Sequence, residues 1–343
     1  MVFLIDILHP AHVHFFKHAY HYLTDEGHKV IVTAREKEIS TQLLDACGME
    51  YILISTQKHG VGLIWEMILR TVRLYRICLK YRPALLLGIM GPSIAVAGFI
   101  LRISSWVFYD TENAGITNWF VYPLAKRVYT PECYRSKKRK NQITYQGYHE
   151  LAYLHPTRFT PDISVVRCHG IDTGKPFFIV RFVGWQASHD LGERGISDTN
   201  KVKLVTMLEQ YGVVYISSEA PLPDVLKSKV LTCPAEDIHH MLAFARIVVG
   251  ESATMASEAA VLGVPAFFIS DTLRGYTIEE EERYGLVRNF SNRELECAMQ
   301  VIEKMAGASD TVTDAQAARA RLLAERIDVT EYILDEIRKT FGT

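Results

Sequence analysis

The sequence predicts an α/β protein with two domains, each built around a parallel β-sheet. The chain has 343 residues, and a single domain usually holds about 150. Short runs rich in Val, Ile, Leu and Tyr alternate with helix-like segments, and this alternation breaks once near the middle of the chain before it resumes. The hydrophobic share of 48% and the charged share of 22% are typical of a globular protein.

The first half contains six strand-like runs, with helix-like segments between most of them. Alternation of this kind is typical of β-α-β units, in which right-handed crossovers place helices on both faces of a parallel sheet. The predicted strands are Val2–Leu8, Lys29–Ala34, Tyr51–Ser55, Leu85–Met90, Trp106–Asp110 and Arg127–Thr130, and the predicted helices include Phe15–Asp25, Ser40–Cys47 and Leu63–Tyr81.

The alternation stops between residues 131 and 174, in a region with a basic cluster and several prolines. We therefore predict a domain boundary there, with domains at residues 1–150 and 176–325 and a linker at 151–175. Residues 326–343 are predicted to form a C-terminal helix that packs back on the first domain. The later predicted strands are Pro176–Phe182, Gly212–Ser217, Lys229–Cys233, Ile247–Gly250 and Ala266–Ile269, and the terminal predicted helices are Asp314–Arg326 and Val329–Phe341.

The net charge and the spacing of the cysteines argue against two classes, nucleic-acid-binding proteins and zinc-thiolate proteins. The formal net charge is −1, which is not the balance of a nucleic-acid-binding protein. The six cysteines stand singly, with no C-x-x-C pair, so we expect reduced thiols, a cytoplasmic location and no thiolate zinc site. The chain begins with a strand-like run and no basic leader, which predicts no signal peptide.

One nearly continuous apolar segment, residues 84–100, raises the question of a transmembrane helix. Gly88, Gly91 and Pro92 interrupt it, and Arg102 follows closely. A buried strand, a turn at Gly91 and Pro92 and then a buried helix explain this punctuation better than a membrane span does.

The segment after the predicted strand that ends at Gly250 is the strongest candidate for a ligand site. It reads E-S-A-T-M-A-S-E-A-A-V-L-G-V-P, with Ser252 placed to cap a helix that carries Thr254 in its first turn. Free N–H groups and the positive end of the helix dipole favour a diphosphate there. Glu258 lies one turn further on, where its carboxylate could accept from both hydroxyls of a ribose. The alternative is an ordinary capped helix with a solvated glutamate.

Three histidines, His9, His12 and His14, lie between the first predicted strand and its helix, around Pro10. Because an imidazole has a pKa near working pH, they are candidates for a general base or for contacts with an acceptor hydroxyl. Metal binding is a competing interpretation, although no carboxylate lies between or directly beside the three histidines. The third interpretation is that these histidines lie at the start of a helix and have no function.

A polar segment also follows the strand that ends near Tyr109. Asp110 and Glu112 are spaced like a D-x-D metal clamp, or they belong to the acceptor site together with Asn113. The alternative is a loop whose carboxylates cap the next helix.

Arg181 lies at the end of the first strand of the second half and precedes Gly184, Trp185, Gln186, Ser188 and His189. A guanidinium next to a diphosphate supplies the positive charge that a metal ion would otherwise supply. A surface arginine is the alternative interpretation.

Several of these segments together resemble the bacterial UDP-N-acetylglucosamine transferase family of peptidoglycan synthesis. Residues 112–118 with Leu124–Val128 look like its H-E-x-N-x-x-x-G-x-x-N…L-A segment, Ser252–Pro265 look like its S-G-A-x-T-x-x-E-x-x-x-x-G-x-P motif, and Tyr81–Gly91 look like its K-P-D-V-V-L-G-x-G-G strand and turn. The resemblance covers most of the chain in the same order. The overall pattern is nearest to bacterial and archaeal relatives of this fold without a known function.

The resemblance implies a GT-B fold, in which two Rossmann-like domains with parallel sheets face each other across a cleft. It implies that the C-terminal domain holds a nucleotide-sugar, that the N-terminal domain binds the acceptor and that no metal or other cofactor takes part. By this likeness Glu258 binds the ribose, Ser252 and Thr254 bind the phosphates, and His12 is the base. The sequence departs from the family at Leu8–Ala11, in place of a glycine-rich turn, at Gly147–Glu150, where an arginine is lost, and near Arg274–Ile278, where a glutamine pair is missing.

We expect an inverting glycosyltransferase that moves a sugar from a UDP-linked donor to a hydroxyl group, in cell-envelope or surface polysaccharide synthesis. Helix-end N–H groups and Arg181 would stabilise the leaving diphosphate, while His12 or Glu112 takes the acceptor proton. One alternative is a nucleotide-sugar 2-epimerase, although its H-R-R-E-N-like motif is missing at Arg181–Trp185. The other is a non-catalytic nucleotide- or glycan-binding protein.

The predicted helix around Arg70–Arg82 carries basic residues between apolar ones. Basic amphipathic helices lie against anionic lipid, and such a contact would deliver a lipid-linked or polysaccharide acceptor at the inner face of the membrane. A solvated helix face is the alternative.

Overall fold

The structure is a computed structural model that describes residues 1–37, 39–57, 62–112, 115–184 and 195–342. The chain divides into two compact units. Unit 1 comprises Met1–Tyr153 together with Ile327–Thr343, and unit 2 comprises Leu154–Arg326. Residues 154–175, which fall within the predicted linker, belong to unit 2, where the helix at Ile163–Cys168 packs on the helix at Ile238–Phe244.

The described part of unit 1 contains seven strands in a single parallel sheet. They are β1 (Val2–Ile7), β2 (Lys29–Glu36), β3 (Tyr51–Thr56), β4 (Leu85–Ile89), β5 (Ser104–Phe108), β6 (Arg127–Pro131) and β7 (Gln142–Tyr145). Their order in the sheet is β3-β2-β1-β4-β5-β6-β7. The order reverses between β1 and β4, and ligands of open parallel sheets bind at such a point, outside the carboxyl ends of the strands.

Helices cover both faces of this sheet. They are α1 (Pro10–Asp25), α2 (Ser40–Ala46), α3 (Gly62–Tyr81), α4 (Pro92–Leu101) and α5 (Gly115–Leu124). Because side chains alternate along a strand, Leu4 and Val107 pack under α3, α4 and α5, whereas Phe3 and Phe108 face the opposite layer. The apolar segment 84–100 forms β4 and α4, as the sequence predicts. None of the helices in the described ranges is long and apolar enough to cross a membrane.

The described part of unit 2 has a smaller parallel sheet of five strands. They are β8 (Phe177–Phe182), β9 (Val213–Ser218), β10 (Ile247–Gly250), β11 (Ala266–Ile269) and β12 (Val287–Phe290), in the order β12-β11-β10-β8-β9. The helical elements of unit 2, in chain order, are α6 (Ile163–Cys168), α7 (Asp198–Leu208), α8 (Ile238–Phe244), α9 (Ala253–Leu262), α10 (Gly275–Glu279), a π-helical turn (Glu280–Tyr284), α11 (Leu295–Gly307) and α12 (Thr311–Glu325). The last helix, α13 (Val329–Phe341), belongs to unit 1 and contacts α1.

Four elements differ from the sequence prediction. Lys229–Cys233 is not a strand: Val230 forms only an isolated bridge with Ile216, and Pro234, which lacks an N–H, follows at once. β7 and β12 were not predicted, because each is only four residues long and includes polar side chains. α1 begins at Pro10 rather than at Phe15, so the second and third histidines of the predicted turn are helical.

Helix α3 does not present its first arginine to solvent, contrary to the prediction of a basic outer face from Arg70 onward. Arg70 is buried, forms an ion pair with the buried carboxylate of Asp6 on β1, and donates to the hydroxyl of Ser55 at 2.9 Å. One turn earlier, Glu66 is also buried and pairs with Arg35 through two hydrogen bonds of 2.6 and 2.8 Å. Ion pairs therefore fasten α3 to the sheet.

Candidate functional site

The first candidate site lies at the carboxyl edge of the sheet of unit 1, where β1, β4 and β5 end next to one another. His9 follows β1 and is the N-cap of α1, and its Nδ1 accepts a hydrogen bond from the N–H of Ala11 at 3.2 Å. Pro10 occupies the first helical position, where its missing N–H costs nothing. The structure thus gives His9 a capping role at the edge where the sequence places an acceptor contact.

His12 lies one turn into α1 and is 8% exposed. Its Nδ1 accepts a hydrogen bond from the N–H of Leu8 at 3.3 Å, so in the neutral ring the proton is on Nε2. Burial lowers the pKa of His12 well below 6.5, with His9 acting in the same direction and Asp110 opposing it. His12 is therefore an uncharged hydrogen-bond donor at neutral pH. The geometry does not support the general base that the sequence predicts at this position.

Asp110, just after β5, forms the other half of this site. Its Oδ2 lies 3.2 Å from Nδ1 of His149, and its Oδ1 accepts from the hydroxyl of Thr111 at 3.0 Å. Burial acts to raise the pKa of Asp110, but His149 and Thr111 outweigh it and lower that pKa to about 2. The carboxylate is therefore ionised at any working pH.

His149 begins a short 3-10 helix after β7 and packs its ring on Phe15, with centroids 4.6 Å apart. With Nδ1 against the carboxylate, its lone pair is on Nε2, which is buried and forms no hydrogen bond with any described residue. His149 was not predicted as a site residue, and its segment differs from the resembled family by a lost arginine. A titratable residue in a tight turn after a strand was the available signal.

The remaining predicted residues of unit 1 make contacts with other parts of the unit. Glu112 accepts a hydrogen bond from the N–H of Arg135 at 3.0 Å and so holds the connection between β6 and β7. His14 is buried and stacks on Tyr153, with ring centroids 5.2 Å apart. Asn113 lies outside the described residues. Asp110 and Glu112 thus hold different partners, and the described residues contain no group of three potential metal ligands.

The second candidate site lies at the carboxyl edge of the sheet of unit 2, at the start of α9. Ser252 is the N-cap, and its hydroxyl accepts from the N–H of Met255 at 3.2 Å, as the sequence predicts. The first N–H groups of a helix have no partner within it, so this end attracts anions. Thr254 is half-buried in the first turn. A side chain on Gly250 would place its Cβ 2.3 Å from the carbonyl oxygen of Arg181, so only glycine allows this strand contact.

Glu258 is buried rather than solvated. Its Oε1 lies 2.9 Å from Nε2 of His239 on α8, and His239 is itself buried. The pair joins α8 to α9 in the core of unit 2. The structure therefore gives the predicted ribose ligand a structural partner within the protein.

Arg181 is held by the end of β9. Its guanidinium donates to the hydroxyl of Ser217 at 2.7 Å and pairs with the carboxylate of Glu219. Trp185, Gln186, Ser188 and His189, which follow it in the sequence, lie outside the described residues.

Glu251, between β10 and the N-cap of α9, was also missed. It is buried, and its carboxylate accepts from the N–H of Val183 at 3.0 Å and from the N–H of Ile196 at 2.6 Å. The Glu251 side chain therefore holds the segment that follows β8 and the segment that precedes α7. An acidic residue directly after a buried strand was the available signal.

Comparisons with known proteins bear on the fold. The family described as "Protein of unknown function (DUF354)" matches residues 1–271. No curated protein shows significant sequence similarity to the chain.

Solved structures are similar along the whole chain at low identity. The UDP-GlcNAc 2-epimerase from Neisseria meningitidis bound to UDP-GlcNAc has a TM-score of 0.68 at 14% identity, covering 98% of this chain and 100% of that one. The S. aureus MnaA–UDP structure has a TM-score of 0.71 at 10% identity, covering 100% and 97%. The spinosyn rhamnosyltransferase in complex with spinosyn aglycone has a TM-score of 0.63 at 12% identity, covering 98% and 99%. The fold is thus the GT-B fold, as the family resemblance implies.

Proposed function

The chain belongs to the family described as "Protein of unknown function (DUF354)", and we propose that it is a glycosyltransferase that uses a UDP-linked sugar as donor and a hydroxyl group as acceptor. Nucleotide-sugars and nucleotides are the ligands of structural relatives, which supports this class of substrate. We extend the proposal to cell-envelope or surface polysaccharide synthesis, with reaction in the cytoplasm and without a metal ion.

The observation that carries the proposal is the pairing of Asp110 with His149. Removing a proton from an acceptor hydroxyl requires a base with a free lone pair and a fixed ring orientation. A carboxylate that accepts a hydrogen bond from one imidazole nitrogen fixes the tautomer, so that the other nitrogen carries the lone pair and accepts the proton. The carboxylate also stabilises the imidazolium that forms. Nε2 of His149 is buried without a hydrogen bond to any described residue, which is costly unless a ligand group satisfies it. An acceptor hydroxyl is such a group.

His12 has the complementary role in this proposal. Its Nδ1 accepts from the N–H of Leu8, so the Nε2–H of the neutral ring is the group that would donate to a substrate. A neutral imidazole that donates can polarise or orient an oxygen of the substrate without competing for the acceptor proton. The base is therefore His149 rather than His12 or Glu112.

The donor belongs to unit 2 in this proposal. The diphosphate lies at the amide-rich start of α9, beside Ser252 and Thr254, where the helix dipole is worth about 0.3–1 kcal/mol for an exposed anion. The charge of Arg181 is partly offset by Glu219, so helix amides contribute most of the stabilisation of the leaving group.

The proposal is tested by incubating the purified chain with a panel of UDP-sugars and measuring UDP release. Glycosyltransferases can pass the sugar slowly to water, so we expect slow release from one donor. His149→Asn and Asp110→Asn should reduce the rate by about 10²–10⁴-fold, as is typical for loss of a general base. His21→Asn, a change at an exposed histidine on α1, is the control and should not alter the rate.

Other outcomes contradict the proposal and identify the alternatives. Conversion of the UDP-sugar to its 2-epimer without an acceptor would show an epimerase. UDP binding in calorimetry with neither release nor epimerisation would show a binding protein. Unchanged rates in both variants would remove His149 and Asp110 from the chemistry.

A further inference from the structure

Helices α3, α4 and α5 lie side by side on one face of the sheet of unit 1. α3 contacts α4, α4 contacts α5, and the hydroxyls of Thr71 and Ser93 meet at 3.0 Å between the first two. The inward side chains of all three helices share one hydrophobic cluster with the sheet. The opposite side of this layer is open to solvent.

That outer side is apolar to an unusual degree. On α3, Trp65 is 60% exposed, and Ile64 and Ile68 are exposed beside it. On α4, Phe99 is 62% exposed, and on α5, Trp119 is 71% exposed. Single exposed hydrophobic residues are ordinary, but several on neighbouring helices mark an interaction surface. We call these residues, with Ile100, the apolar outer surface.

Helix α3 buries charged side chains and exposes large hydrophobic ones. Its buried positions include Glu66 and Arg70, which reach the sheet through ion pairs, while large hydrophobic side chains point outward. An amphipathic helix that only covered a core would place these groups the other way round. The inversion indicates that the outer side meets an apolar environment.

The exposed charges of α3 and of the connection from β6 to β7 are mostly positive, with Glu132 as an exposed acidic residue in that connection. Arg73, Arg76 and Lys80 are exposed on the later turns of α3, and the buried Glu66 is the one acidic residue within α3, α4 and α5. The connection from β6 to β7 carries five exposed cations within residues 135–140. It packs on α5, where the guanidinium of Arg139 lies 4.6 Å from the ring of Tyr122. Cations beside exposed tryptophans and aliphatic side chains complement an anionic lipid surface.

We propose that the apolar outer surface docks on a lipid bilayer that contains anionic headgroups. Trp65, Ile68 and Trp119 enter the boundary between headgroups and acyl chains, and the flanking cations contact the headgroup charge. The proposal rests on the exposure and charge of unit 1 alone, so it does not depend on the reaction proposed above. It replaces the basic helix face that the sequence predicts as the membrane contact.

The test is sedimentation of the full chain with vesicles of phosphatidylcholine, with and without phosphatidylglycerol. We expect binding to the anionic vesicles that weakens with added salt. Trp65→Glu combined with Ile68→Glu should lower the binding constant by about a hundredfold or more, because each buried apolar side chain contributes at least about 1.4 kcal/mol, which is tenfold. Val225→Glu, at a residue of unit 2 that is 66% exposed, is the matched control and should bind as the parent does.

A second measurement needs no substitution. Vesicles that carry brominated acyl chains should quench part of the tryptophan fluorescence of the parent chain, because a docked Trp65 or Trp119 lies within reach of the bromine atoms. Absence of both sedimentation and quenching would overturn the proposal. So would a dimer in light scattering that the Trp65 and Ile68 substitutions dissociate, since the surface would then join two copies of the chain.

Discussion

A buried carboxyl group in unit 2 gives the most quantitative prediction. Glu280 begins the π-helical turn after α10 and is 0% exposed. The hydroxyl of Ser257 on α9 donates to its Oε1 at 2.6 Å. Burial raises the pKa of Glu280 from 4.5 to about 8, against the opposing effects of Ser257 and Arg326. The folded protein therefore holds a neutral carboxylic acid at this position at neutral pH.

The sign of the pH dependence follows from this shift. Because the folded state binds the proton more tightly than the unfolded state, its contribution to stability is complete below pH 4.5 and is lost as the pH rises to about 8. At about 1.4 kcal/mol per pKa unit, the loss is about 3 kcal/mol at pH 7 and approaches about 5 kcal/mol above pH 8. Glu280→Gln removes the titration and keeps an oxygen that accepts from Ser257.

Scanning calorimetry of the full chain across this pH range measures the effect. The amide N–H₂ of Gln replaces the carboxylic O–H, so parent and Glu280→Gln should unfold at similar temperatures near about pH 4.5. At about pH 8 the variant should unfold roughly 10 °C higher, from about 2–4 °C for each kcal/mol. Glu282→Gln, on the exposed side of the same turn, should follow the parent. Parallel curves for parent and Glu280→Gln would refute the assignment of a buried neutral acid.

Two further predictions concern buried polar contacts. Glu258→Ala should lower the free energy of unfolding by about 1–3 kcal/mol, because it leaves the buried His239 without its carboxylate, whereas Glu258→Gln should cost less. Urea denaturation measures both, and equal small effects would argue that Glu258 has no structural role. Arg70→Met should cost about 3–5 kcal/mol, since it leaves the carboxylate of Asp6 charged and buried. Adding Asp6→Asn should recover part of the lost free energy of unfolding. If it recovers none, the two residues do not stabilise the fold through their ion pair.

The fold could be predicted from the sequence because its signals are local. Buried parallel strands give short apolar runs, and Gly91 with Pro92 marks the turn between β4 and α4 without three-dimensional information. Ser252 could be identified as an N-cap for the same reason, since its hydrogen bond spans only three residues. Four-residue strands with polar positions, such as β12, carry too little periodicity to be recognised.

The candidate site could be predicted only in part, because its contacts join distant positions. His149 meets Asp110 only after β7 has added to the sheet beside β6, and β7 has no clear sequence signal. Glu251 finds its two amide partners more than fifty residues away along the chain. The burial of Glu258 depends in the same way on His239 of a neighbouring helix. Residue type indicated which groups can react, and packing decided which of them are engaged in structural contacts.

The proton transfer proposed for His149 illustrates why the position of a histidine in the sequence was not sufficient to assign the base. His12 and His149 are chemically identical side chains, and Asp110 interacts with both. The backbone amide of Leu8 donates to Nδ1 of His12 and leaves a donor at Nε2, whereas the carboxylate of Asp110 faces Nδ1 of His149 and leaves an acceptor at Nε2. One imidazole can therefore give a hydrogen bond to a substrate oxygen while the other takes a proton, with neither ring changing its tautomer. The proposed reaction needs one imidazole that takes the proton of the acceptor hydroxyl and another that donates a hydrogen bond to a substrate oxygen. The group that contacts each Nδ1 atom therefore decides which histidine is assigned as the base.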